Sequence, residues 1–129
     1  MKLRKVDKII VHCSDSDVNT HDDISIIKEW HLKRRFKDVG YHYFIKKNGD
    51  IQQGRSVQKT GAHCYKNNQK SIGICLSGRH EFTDEQFSGL SFLCKLLCDV
   101  MGINEKEIYP HNYFNSSKSC PNFEWEKFK

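Results

Sequence analysis

The segment 41–53, YHYFIKKNGDIQQ, restricts the fold of this chain more than any other. An alternating run leads into Asn48-Gly49, and a short return run follows. Asn-Gly between two such runs is a strong hairpin signal, because both positions of a two-residue turn need positive φ. Strands joined in this way are antiparallel, so a sheet that contains them cannot be wholly parallel. Two further apolar runs read as strands, one at 8–13 (KIIVHC) and one, buried on both faces, at 71–77 (SIGICLS). Helical spacing lies between and after them. Ile24, Ile27, Trp30 and His31 fit a helix capped by Thr20 or Asp22 and running to about Phe36. Thr83 opens a capping box (TDEQ), Phe87, Leu90, Cys94, Leu97 and Met101 continue the helical spacing, and Gly102 supplies the stop. The rest reads as a loop with a terminal helical turn around Trp125. This pattern predicts an α/β (mixed α+β) fold: a single domain over residues 1–129, with a central mixed β-sheet flanked by amphipathic helices.

A chain of 129 residues can bury a core without metal or disulfide staples. No segment approaches the roughly 20 apolar residues of a membrane span, so no membrane insertion is expected. The charged start, MKLRKVDK, leads into a strand and not into an apolar signal core, which predicts synthesis in the cytoplasm without a secretory signal. Six cysteines invite a disulfide reading. Their contexts favour reduced thiols instead: Cys75 lies in a strand-like run, and Cys94 and Cys98 share an apolar helix face, where cysteine serves as a small hydrophobe. The net charge of +5 suits an anionic partner, either nucleic acid or a cell-wall polymer. Lys33, Arg34, Arg35 and Lys37 form the one basic cluster, at a helix end where cations complement the dipole.

Candidate chemistry gathers late in the chain. His111 and Cys120 bound the loop HNYFNSSKSC, and Pro121 follows at once. Far upstream, His12 ends the first apolar run. Two histidines and one cysteine would hold a zinc ion with its fourth position open, the arrangement of a catalytic site. Spacing alone does not choose the partner histidine, since His21, His31, His42, His63 and His80 are also available. His12 sits at the C-terminal end of its strand, where open sheets carry functional groups. Strand alternation turns Cys13 to the opposite face, where it reads as core. Lys118, two residues before Cys120, would hold positive charge near whatever the metal polarises, which suits an oxyanion formed at an amide carbonyl. Tyr41 is expected to share a strand face with Tyr43 while His42 points the other way, so that its hydroxyl could meet a bound carbonyl or water.

The order of IIVHCSDSD, Trp30-His31, DVGYHYFIKKNGDIQQGR, TGAH, SIGICLSG and the closing His111, Lys118, Cys120-Pro121 element carries a resemblance. From about Val6 to Trp125 the chain resembles the zinc-dependent N-acetylmuramoyl-L-alanine amidases of the type-2 amidase and peptidoglycan recognition protein superfamily. It is most similar to the amidase-type lysozymes of T-odd coliphages. The resemblance implies a mixed sheet with flanking helices and one Zn2+ held by His12, His111 and Cys120, with water as the fourth ligand. It implies Tyr41 and Lys118 as the catalytic residues around the scissile amide. The implied substrate is peptidoglycan, cut between N-acetylmuramic acid and the L-alanine of the stem peptide, so no nucleic-acid partner is expected. His63, Arg55, Thr60 and Lys59 come from the irregular segment beside the hairpin and are candidate contacts to the stem peptide, His63 also as a partner behind a ligand. Two departures from the phage pattern stand out. The stretch from His111 to Lys118 is one residue longer, and Asn112 follows His111 where phage relatives often have another histidine.

Other classes remain open at this point. A peptidoglycan-binding relative without catalysis typically lacks the cysteine ligand, which is present here as Cys120. A regulatory module could use the same fold, and a thiol hydrolase built on Cys13 or Cys64 lacks an identified base. The expected protein is a monomeric phage or prophage lysin that reaches the wall after release or export.

Overall fold

The computed structural model describes residues 4–128; the first three residues of the charged N-terminal stretch and Lys129 lie outside the described residues. In chain order the elements are β1 (Lys8–Cys13), α1 (Ile24–Lys33), β2 (Tyr43–Ile45), β3 (Ile51–Gln53), β4 (Ser71–Leu76), α2 (Asp84–Met101), β5 (Ile108–Pro110) and α3 (Trp125–Phe128). The strands form one mixed sheet in the order β3-β2-β4-β1-β5. Only the hairpin pair β2–β3 is antiparallel; β2–β4, β4–β1 and β1–β5 are parallel.

Alternation along the strands separates two cores. Ile9 and Val11 of β1, Ile45 of β2, and Ile72, Ile74 and Leu76 of β4 face α2, which contributes Leu90, Leu93, Cys94 and Leu97. Phe44 and Cys75 face the other way and meet Ile27 of α1 and Val39, with Trp30 and Tyr41 packed alongside. Every residue of β4 is buried, as an apolar run without polar alternation requires. The capping box forms as the sequence predicts. The Thr83 hydroxyl accepts the Gln86 N–H at 3.1 Å, and Gln86 Oε1 accepts the Thr83 N–H at 2.9 Å. Gly102 ends α2 at φ 70°.

Several local expectations need correction. In the hairpin Gly49 takes φ 90° while Asn48 stays out of the positive-φ region. The Gly49 N–H reaches Lys46 O at 2.8 Å and the Lys46 N–H reaches Asp50 O at 2.9 Å, so the loop has three residues, 47–49, closed by a left-handed glycine. The cap of α1 is Asp23, which accepts the Ser25 N–H at 2.9 Å. Asp22 instead accepts the Lys47 N–H at 3.0 Å and fastens the entry to α1 onto the hairpin, while Thr20 lies in a 3-10 turn. The helix stops at Lys33, short of Phe36, because Arg35 adopts φ 68° and turns the chain. Tyr41 and Tyr43 do not share a face: Tyr43 packs on the α2 side and Tyr41 on the α1 side. Regular alternation starts only at Tyr43, so counting back from it misplaces Tyr41. The expected loop after Gly102 contains β5, a three-residue strand too short to show a period.

Candidate metal centre

The sheet register brings His12 to His111. Val11 of β1 lies opposite Pro110 of β5, so the next residue on each parallel strand emerges at the same sheet edge. The two imidazole rings stand with centroids 4.4 Å apart. Cys120 returns to this edge through the loop that follows. The Asn112 N–H donates to Cys120 O at 3.0 Å and closes the loop, and the Cys13 N–H donates to Cys120 Sγ at 3.0 Å. The ligand atoms of His12, His111 and Cys120 all lie within 4.8 Å of one another, the one such cluster among the described residues.

Burial, with His63 and His111 as neighbours, holds the His12 pKa well below the usual imidazole range. Burial lowers His111 too, and the nearby Lys118 charge adds to the effect. Both rings are therefore neutral near pH 7, the form that binds metal. A hydrogen bond with the Cys13 thiol, and then burial, push the Cys120 thiol up, so its proton has to leave when a metal binds. Two neutral imidazoles and a sulfur fit the nitrogen and sulfur preference of zinc, and three ligands leave a place for water or substrate. Cys13 is buried among the core hydrophobics, as the sequence predicts, and at the strand end its N–H and thiol also engage Cys120.

The cluster opens onto a groove of about 700 Å³ whose walls include Trp30, His31, Tyr41, Tyr65 and Lys118. The Tyr41 ring lies 5.0 Å from that of His12, and burial pushes its hydroxyl well above the usual phenol range, which keeps it protonated. Lys118 is exposed on the groove wall. His63 also lines the groove, but both its ring nitrogens face protein atoms: Nδ1 lies 2.8 Å from His12 Nε2, and Nε2 lies 3.2 Å from Ser71 Oγ. Arg55 and Thr60 stand outside the groove lining. The Arg55 guanidinium donates to the carbonyls of Val39, Thr60 and Asp38, holding the irregular segment against the end of the α1 layer. Lys59 contributes its carbonyl, 2.8 Å from His42 Nε2. In the sequence Ser71 reads only as the start of a strand; a serine opening an otherwise apolar run is the available signal.

Comparison with known proteins gives a consistent picture. A family model described as N-acetylmuramoyl-L-alanine amidase matches residues 2–123. The endolysin of Escherichia phage T7 is 32% identical over 133 residues, which span 94% of this chain and 86% of the relative. Peptidoglycan-recognition protein SD of Drosophila melanogaster is 37% identical over 70 residues, 54% of this chain and 37% of that protein. Among solved structures, N-acetylmuramoyl-L-alanine amidase LysC from Clostridium intestinale URNW superposes with a TM-score of 0.85 at 26% identity, covering 98% of this chain and 84% of that one. On the family match over nearly its whole length, this chain belongs to the N-acetylmuramoyl-L-alanine amidase family.

Proposed function

We propose that the chain is a zinc-dependent N-acetylmuramoyl-L-alanine amidase of the phage-lysin type. It hydrolyses the amide between the lactyl group of N-acetylmuramic acid and the L-alanine of the stem peptide in peptidoglycan. The observation that most supports this function is the approach of His12, His111 and Cys120 to within 4.8 Å beside an open groove. A zinc ion bound there would act as a Lewis acid toward water and the scissile carbonyl. His12 and His111 supply neutral nitrogen donors, and Cys120 serves as a thiolate ligand, not a nucleophile. Lys118 places a cation where negative charge develops on the carbonyl oxygen. Tyr41, kept protonated by burial, orients water through its hydroxyl and helps move its proton. The protein acts as a monomer, made in the cytoplasm and working on the wall after release or export.

Mass spectrometry of products from purified sacculi tests the bond that is cut. Free L-alanine amino termini are expected, lost on chelation and restored by zinc. New reducing sugar ends would overturn the assignment, and tight binding without any product would identify a recognition module instead. Lys118→Met is expected to lower kcat about 10²–10³-fold with zinc content unchanged, the range found for removing one oxyanion donor. Steady-state kinetics with metal analysis checks this; a change confined to KM would place Lys118 in substrate binding alone.

A further inference from the structure

Behind His12 lies a directional hydrogen-bond chain. The Ser71 hydroxyl donates its single hydrogen to Asn67 O at 2.6 Å. Toward His63 Nε2, 3.2 Å away, Ser71 Oγ can then only accept, so that nitrogen carries the hydrogen. In the neutral ring this leaves His63 Nδ1 as a bare acceptor. It lies 2.8 Å from His12 Nε2, which must therefore be the protonated nitrogen of His12. The only lone pair left on the His12 ring is that of Nδ1.

The sheet is built to admit this arrangement. A Cβ on Gly73 would stand 2.6 Å from His63 Cγ and 2.8 Å from His63 Nδ1, closer than real Cβ contacts come. Gly73 faces Ile10 across the β1–β4 pair, two residues before His12 on the same face. Glycine at this place in SIGI opens a seat for the imidazole on the sheet surface. The segment 63–68 holds it there, with the His63 and Cys64 N–H groups both donating to Asn68 Oδ1, at 2.9 and 2.8 Å.

We infer, on the basis of the zinc-amidase function proposed above, that His63 is a positioning residue that fixes His12 as the Nε2–H tautomer and so presents Nδ1 to the metal. Without it, His12 can rotate or exchange tautomers, and the site has to order the ring each time it binds metal. Partners of this kind behind metal ligands typically change metal affinity about 10–100-fold when removed. The role is distinct from a substrate contact, because both ring nitrogens of His63 are engaged by the protein.

The test uses the full chain with and without zinc. In metal-free protein labelled with 15N at histidine, long-range proton–nitrogen NMR should show His12 protonated at Nε2 and bare at Nδ1. In His63→Leu the His12 signals should move to a mixture of tautomers. Zinc affinity, measured by competition with a chromophoric chelator, should fall about 10–100-fold. His63→Asn, which restores an acceptor near the Nδ1 position, should recover most of that affinity. Ser71→Ala keeps the His63 ring and should still broaden the tautomer distribution of His12, so a misfolded His63→Leu does not end the test. His12 protonated at Nδ1 in the wild type would overturn the inference, as would unchanged zinc affinity in folded His63→Leu. Failure of the wild type to bind zinc would instead remove the zinc-amidase function and leave the tautomer result standing by itself.

Discussion

Cys120→Ser is expected to abolish zinc retention and amidase activity together. The substitution is nearly isosteric, and the Cys13 N–H that donates to Cys120 Sγ at 3.0 Å can donate to a serine oxygen instead. The loop closure from the Asn112 N–H to the carbonyl of residue 120 involves only main chain and persists. What changes is the donor. A thiol gives up its proton to a metal near neutral pH, whereas an alcohol holds it and offers a weak neutral oxygen. Losing one of three protein ligands should weaken zinc binding well beyond the roughly 10–100-fold seen when a supporting partner is removed. Activity should fall by at least about 10³-fold, since the remaining groove would provide binding and little else. Metal analysis after dialysis, thermal unfolding and product analysis on sacculi together check the result. A folded, zinc-free variant with wild-type activity would remove the metal from the mechanism and leave Cys120 as a packing residue.

The ease of reading different parts of this chain from sequence follows from how local their physics is. β1 and the capping box of α2 were legible because each depends on residues within one element. His12 could be placed at the end of β1 for the same reason. Its pairing with His111 could not be, because it rests on the parallel register of β1 with β5, and β5 is three residues long. In the sequence, only the resemblance supplies that partner. The hairpin was legible as a hairpin, but the turn depended on whether Asn48 would join Gly49 at positive φ, which flanking ties decide. One such tie is Asp22, whose carboxylate holds the Lys47 N–H. Cys13 shows what alternation leaves out: it is buried at the end of β1 as the pattern predicts, but its contact with Cys120, 107 residues away, depends on the closing loop. The position of His63 in TGAH leaves a groove residue and a partner behind a ligand equally open; Gly73 and Ser71, which seat and orient it, come from a strand whose apolar pattern does not point to the site.

The fold is expected to be acid-labile well above the range where carboxylates titrate. Besides His12 and His111, three histidines are held neutral: burial lowers His31 and His42 to about 4 and His63 to about 3. Their hydrogen bonds fit the neutral ring. The Gly40 N–H donates to His31 Nδ1 at 2.8 Å, and the Gly73 N–H donates to His42 Nδ1 at 3.0 Å, so a proton on either nitrogen would displace a main-chain donor. Arg4, 3.1 Å from His42 Nε2, further disfavours a second positive charge there. Each folded pKa lies below the unfolded value of about 6.5, so above that pH neither state binds the protons and stability is flat. As pH falls from about 6.5 towards 4, the unfolded chain takes up protons that the folded chain refuses, and stability is lost. Each histidine contributes a slope of about 1.4 kcal/mol per pH unit, so these three alone give on the order of 4 kcal/mol per unit. For a total near the low end of the typical range of about 5–15 kcal/mol, this brings metal-free protein to its unfolding midpoint near pH 5. Asp17, held well below the carboxylate range by Lys47 and the N–H groups of Arg79, His80 and Glu81, begins to lose its contribution only below about pH 4. The two sources are therefore separated along the pH axis. Denaturant unfolding in the presence of a chelator, from about pH 7.5 down to about 4.5, measures the slope directly. Stability that stayed level to pH 4.5 would mean that the imidazoles are protonated in the folded state, and the Gly40 and Gly73 hydrogen bonds to His31 and His42 would have to be reassigned.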